Sequence, residues 1–184
     1  SKFSPWLANG SLSPRLIYSE VKKYEGERAV NDSTYWMTFE LLWRDYFKFH
    51  ALKYGPFLFR LEGLSESAQR PLDERLQQEL FKSWKSGNTG TDFIDANMKE
   101  INETGFMSNK GRQAVARYLT QTLRVDWRWG ARYFEEMLID YDAASNWGNW
   151  NYVASLTEHS NPSVDPEGDY IRHWLGSTHS GSPL

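Results

Sequence analysis

Cysteine is absent from all 184 residues. That excludes a disulfide framework and thiol chemistry, and it leaves the compartment open. No apolar run approaches the length of a membrane span. Sustained period-two alternation between tight turns is missing, which argues against a sheet. The four histidines, at positions 50, 159, 173 and 179, share no metal-ligand spacing, so no metal site is expected. No glycine-rich phosphate loop of the common kinds occurs, and no Ser-His-Asp arrangement is suggested. Positive charge is scarce as well. The 21 Lys and Arg against 24 Asp and Glu leave a net charge of −3, which speaks against a strongly basic nucleic-acid binder. The N-terminus has no signal-peptide pattern, lacks a starting Met and opens inside structured-looking sequence. The first residues are therefore expected to continue something longer.

Aromatic residues, by contrast, are plentiful: nine Trp, ten Tyr and ten Phe. Such rings pack cores, and they also suit a planar ligand or stacked bases. The length predicts one domain, 1–175, with a real core and a flexible tail over 176–184. Helix signals are frequent. A Ser-Pro start and Gly26 bound one helix, and cap-type residues at 31–34 with a stop at Gly55 bound a second. Pro71 and Gly87 bracket a third; the segments 92–105, 109–124 and 126–140 complete six. Six helices and no convincing sheet predict an all-α domain.

Three constellations stand out. Glu40, Trp43, Arg44 and Phe47 share one stripe of a helix whose flanking residues are nearly all apolar, so this helix is expected to be buried on most sides. Glu40 and Arg44 fit either a structural pair or site residues, because a buried acid and guanidinium must be paired or ligand-bound. Asn109, Arg112 and Gln113 share a second stripe, which alone would be a solvated face. Lys110, Arg117, Arg124, Arg128 and Arg132 lie nearby and form the one basic concentration, suited to phosphates or to an ordinary helix surface. Last comes DYDAASNWGNWNY, residues 140–152, which puts acids, amides and indoles into one short loop. These acids are better placed to accept hydrogen bonds from a ligand than to act as a hydrolytic pair. Difficult chemistry there would need a cofactor.

Read in order, several long segments resemble the helical FAD-binding domain of the photolyase/cryptochrome family, and its DASH branch most closely. They are KFSPWLANGSLSPR, STYWMTFELLWRDYFKF, GNTGTDFIDANMKEINETGFMSNKGRQAVARYL, VDWRWGARYFEEMLIDYDAASNWGNWNY and DPEGDYIRHWL. The resemblance covers almost the whole chain except its tail. It implies an all-α FAD-binding domain truncated on its N-terminal side, without the family's α/β antenna domain.

The resemblance also implies roles. Ser1, Phe3 and Ser4 would meet the FAD phosphates, while Arg44, Asn109, Arg112, Asp140 and Asp142 would hold the flavin and its ribose, with Arg112 paired to Asp140. Asn146 would face the flavin N5 atom. Glu40 would hydrogen-bond a damaged pyrimidine from the substrate side of the flavin, and Trp43 would wall that base pair. Lys110 would contact a DNA phosphate, and Gln113 and Tyr152 would sit at the lesion cavity. Trp150 and Trp127 would be the inner members of an electron-transfer chain. The outermost member has no aligned tryptophan, with Trp84 and Trp129 as the available substitutes. Three functions follow from the resemblance. One is light-driven electron transfer to cyclobutane pyrimidine dimers in single-stranded DNA. Another is blue-light reception through the same pocket. The third is a structural role, docked to a larger assembly or to the missing N-terminal part. The family occurs in bacteria and in organelles.

Overall fold

The computed structural model describes residues 2–62, 72–155 and 169–176, and among these there is no strand. Expectations resting on Ser1, on Pro71, on the stretch 156–168 and on the tail from 177 lie outside the described residues. Nine helices are described: α1 Ser4–Ala8, α2 Pro14–Glu27, α3 Asp32–Tyr54, α4 Glu74–Ser86, α5 Asp92–Thr104, α6 Asn109–Arg117, α7 Trp127–Met137, α8 Ala143–Ser155 and α9 Asp169–Leu175.

Local chemistry sets most of these boundaries. Asn31 and Thr34 cap α3 reciprocally: the Thr34 amide donates to Asn31 Oδ1 at 3.1 Å, and the Asn31 amide donates to Thr34 Oγ1 at 3.2 Å. Asp73, Ser108 and Asp126 cap α4, α6 and α7 through side-chain oxygens that accept amide bonds. Gly87 and Gly105, with φ of 64° and 67°, close α4 and α5 in the left-handed region. The helix expected over 109–124 is interrupted. After Arg117 the chain widens into one π turn, Tyr118–Thr122, before the left-handed Arg124.

The main core is built by α4 to α9. Trp84, Met98, Ile101, Val115, Leu119 and Ala131 lie at its centre with no more than 1% exposure. Full burial of one large apolar side chain contributes roughly 1.5–3 kcal/mol, so this cluster dominates stability. Trp84 also satisfies its one polar group inside, since its indole N–H donates to the Val115 carbonyl at 3.0 Å.

Two expectations change here. First, residues 140–152 are mostly a helix. The turn at 138–142 leads into α8, whose first turn is held by Asp142: the Ser145 amide donates to Asp142 Oδ1 at 2.9 Å. Gly148 disfavours a helix in isolation, but α8 packs on α3, α6 and α7. A Cβ at Gly148 would fall 2.3 Å from Phe47 Cδ1, so glycine is what lets α3 lie this close. Second, α3 is not buried on most sides. Only Thr34 and Phe47 are buried. Trp36, Leu42, Tyr46, Phe49 and Leu52 are 51–81% exposed, because α2, α8 and the 3-10 turn after α3 cover only one side of it.

Candidate functional site

Between α6, the end of α7 and α8 lies an open cavity of about 570 Å³, a volume that includes the space at its mouth open to solvent. Its floor is apolar, made by Ala116, Phe134, Leu138, Trp150 and Val153. Its walls are polar. One carries Asn109, Arg112 and Gln113 from α6, and the other carries Asp140, Asp142, Ser145, Asn146 and Asn149.

The α6 wall is set by a close contact beneath it. Gly111 lies against Asn97, whose Oδ1 would be 1.9 Å from an added Cβ. Any larger residue would push α6 away from α5. The opposite wall is fixed by the turn that follows α7. The Ile139 amide donates to the carbonyl of Gly105 at 2.9 Å, which ties the turn to the end of α5. Asp140 is thereby brought under Arg112. Arg112 Nη2 donates to both Asp140 oxygens, at 3.0 and 2.8 Å, and Arg112 Nε donates to the Met107 carbonyl at 2.8 Å. The Asp140 side chain is 2% exposed and the Arg112 side chain 26%. Such charges are retained only when paired and hydrogen-bonded.

Asn146 is held just as definitely. Its Nδ2 donates to the Ala131 carbonyl at 2.9 Å. A carbonyl can only accept, so the amide nitrogen must face Ala131. The amide oxygen remains available as an acceptor. Trp150 has its own seat, because a Cβ at Gly130 would fall 2.2 Å from the Trp150 ring.

The site residues named from the resemblance divide into two groups. Asn109, Arg112, Gln113, Asp140, Asp142, Asn146 and Trp150 all line the cavity. The others lie away from its lining. Phe3, Glu40, Trp43, Lys110 and Tyr152 are exposed, and Ser4 is half-buried in α1. Arg44 Nη2 reaches the Leu7 carbonyl at 3.5 Å, and its Nη1 lies 3.8 Å from Asp45 rather than pairing with Glu40. Trp127 is buried in the core, where its ring meets Trp147 at 5.8 Å and its indole donates to the Leu61 carbonyl at 3.0 Å. Ser145 and Asn149 line the cavity and were not singled out from sequence. Their spacing to Asn146 and Trp150 would have revealed them once α8 was known to be a helix.

Among the described residues, helices enclose a hollow with polar walls and an apolar floor, the kind of concave site between helices that takes a small molecule. The profile of the FAD binding domain of DNA photolyase matches residues 36–180, and the chain belongs to this photolyase/cryptochrome family. Cryptochrome DASH of Synechocystis sp. is 55% identical over 95% of the chain. A crystal structure of a Synechocystis cryptochrome superposes with a TM-score of 0.86 and 53% identity over 95% of the chain. An archaeal photolyase from Sulfolobus tokodaii, described with two FAD molecules, gives 0.75 and 33% over 95%. The chain spans only 37% of that cryptochrome DASH, 38% of the Synechocystis structure and 40% of the archaeal one. No helix among the described residues is long and apolar enough to cross a membrane.

Proposed function

We propose that the chain holds FAD in the cavity between α6 and α8, as part of a blue-light flavoprotein of the cryptochrome DASH kind. The observation that carries this is the fixed amide of Asn146. Asn146 lines the same cavity as the Arg112–Asp140 pair, so an amide and a guanidinium border one partly apolar lining. That donor set fits an isoalloxazine, whose rim alternates carbonyl oxygens with ring nitrogens and whose faces are apolar.

Arg112, anchored by Asp140 and the Met107 carbonyl, would meet the acceptor-rich edge of the ring. Asn146 would accept from a protonated ring nitrogen, which favours the reduced over the oxidised cofactor. Asn109, Asp142 and Ser145 would satisfy the remaining polar groups at the rim. Bound there, FAD would supply one-electron redox chemistry driven by blue light. Phe134, Leu138 and Trp150 would keep water from the ring face. Lys110, Gln113 and Tyr152 are exposed, where they could meet a phosphate and the edge of a flipped base. The reaction supported by this arrangement is light-driven electron transfer to cyclobutane pyrimidine dimers in single-stranded DNA.

A titration with FAD followed by illumination tests this reading. Saturable binding that weakens in Arg112→Ala and Asn146→Leu is expected, with light-dependent splitting of a dimer in a single-stranded oligonucleotide by the reduced, loaded chain. Wild-type protein that takes up no FAD would refute it. A second reading, that the chain docks into a larger assembly, is favoured by the bare aromatic side of α3. A stable complex in native mass measurement would support that alternative.

A further inference from the structure

The α6 side of the cavity ends at Ala116, and just behind it the helix opens into the π turn Tyr118–Thr122. The Leu123 amide reaches back five residues to the Tyr118 carbonyl, at 2.9 Å, where an α-helix reaches back four. Such single wide turns are rare and recur at functional sites. The segment then closes on Arg124, which is held at φ 54°. That left-handed backbone is unfavourable for any residue but glycine. Two unfavourable conformations in succession persist only where their neighbours hold them.

Two side-chain donors stand in the helical ladder at this point. The Trp84 indole N–H, from α4, donates to the Val115 carbonyl at 3.0 Å. An unbroken α-helix would offer that oxygen to the Leu119 amide. The Thr120 hydroxyl donates to the Ala116 carbonyl at 2.9 Å, the acceptor that would otherwise serve the amide of Thr120 itself. Donors set into the ladder in this way distort a helix locally. The ends of the segment are tied as well. The Thr91 hydroxyl donates to the Tyr118 hydroxyl at 3.2 Å, and the Leu72 amide donates to the Arg124 carbonyl at 3.4 Å. Inside the turn sits Leu119, fully buried. A Cβ at Gly130 would fall 2.7 Å from Leu119 Cδ2 and 2.2 Å from the Trp150 ring. The two side chains crowd one point on α7, so Leu119 backs the indole that belongs to the cavity floor.

We propose that Trp84 and Thr120 are positioning residues for the cavity: their two donors hold the turn open, the open turn keeps Leu119 behind Trp150, and Leu119 sets the height of that indole against a planar ligand. The proposal rests on the flavin reading above. Neither Trp84 nor Thr120 lines the cavity. Both act through the backbone of α6 and then through Leu119. When either donor is removed, the freed carbonyl is taken by the amide four residues on. The segment tightens, and Leu119 leaves the point it shares with the indole. A ligand bordered by Arg112, Asn146 and Trp150 then keeps its polar partners and loses its apolar backing. If Trp84 and Thr120 served the core alone, their loss would lower stability without changing the ligand site.

The test compares wild type with Trp84→Phe, Thr120→Val and Thr120→Ser, and with Ile101→Val as a control for plain loss of core packing. Far-ultraviolet circular dichroism and urea unfolding check the fold of each. FAD affinity is read by flavin fluorescence. The Trp150 indole N–H resonance, assigned by its loss in Trp150→Phe, is followed by proton–nitrogen NMR in the chain without FAD. Trp84→Phe and Thr120→Val should each weaken FAD binding about fivefold, the equivalent of one lost hydrogen bond, and should displace the Trp150 resonance. Thr120→Ser keeps the hydroxyl and should match wild type in both readouts. Ile101→Val should lose stability and keep both the affinity and the resonance. If Trp84→Phe fails to fold, Thr120→Val carries the comparison, since it exchanges one hydroxyl for a methyl. Wild-type affinity with an unmoved resonance in Thr120→Val overturns the proposal and leaves the flavin reading intact. An equal loss of affinity in Ile101→Val or in Thr120→Ser overturns it as well, because the effect then does not come from the donor. A wild-type chain that takes up no FAD overturns both readings, and the binding step alone reveals it.

Discussion

Removing Asp140 should be the most informative single change in the cavity. Asp140→Ala leaves Arg112 facing a site that is 2% exposed on the acid's side. Breaking a fully buried ion pair by deleting one partner costs roughly 3–5 kcal/mol. Arg112 is about a quarter exposed and keeps its Met107 bond, so part of its charge can be rehydrated. About 2–3 kcal/mol is the expected loss, below the fully buried range for that reason. For a chain of this size that corresponds to a fall in Tm of about 4–12 °C. Urea unfolding of wild type, Asp140→Ala, Arg112→Ala and the double variant would measure it, and the cycle isolates the pair. A coupling of about 1 kcal/mol or more is expected for groups in direct contact. If the two single losses simply add, within about 0.5 kcal/mol, then the pair does not hold the wall together and the account of the cavity is wrong.

Three further outcomes are expected. Gly111→Ala should destabilise by about 1–3 kcal/mol despite alanine's better helix propensity, because its methyl would fall 1.9 Å from Asn97 Oδ1; chemical denaturation reads this, and FAD affinity should drop with it as α6 moves. Asn146→Asp should lose about 1–3 kcal/mol, since a carboxylate oxygen would then face the Ala131 carbonyl; a midpoint equal to wild type would contradict the assigned orientation of the amide. His50 is held below its ordinary pKa of 6.5 by burial and, secondarily, by Lys53. The unfolded chain therefore takes up this proton more readily than the folded one. The neutral His50 contribution is fully present above pH 6.5 and is lost as the pH falls from there through the lower folded value. His50→Phe should flatten the pH dependence of stability in that window, measured by denaturation at a series of pH values.

The presence of α2 to α7 was legible from their own residues, through helical spacing with caps or terminal glycines at most ends, although the helix expected over 109–124 breaks after Arg117 and α2 runs one residue past Gly26. The stretch 140–152 was not. Its amides and glycine oppose a helix locally, and only packing on α3, α6 and α7 overrides that preference. The bare side of α3 was equally invisible, since apolar composition says that a surface wants cover but not whether a neighbour supplies it. The stripe Asn109, Arg112 and Gln113 could be seen in the spacing. Its partner Asp140, 28 residues on, could be named only through family resemblance, as sequence spacing carries no information about a contact made across a tertiary turn. Gly111 drew no notice at all. Its role depends on the Asn97 oxygen one helix away.

Phe47 and Gly148 make α3 a poor candidate for trimming. The phenyl ring occupies a notch in α8 that any side chain would close. Two residues to either side of that notch stand Asn146 and Trp150, which face the cavity. A shortened protein ending its long helix before position 47 would leave an empty socket at that spot. The amide and the indole would then lose the backing that sets their height in the wall.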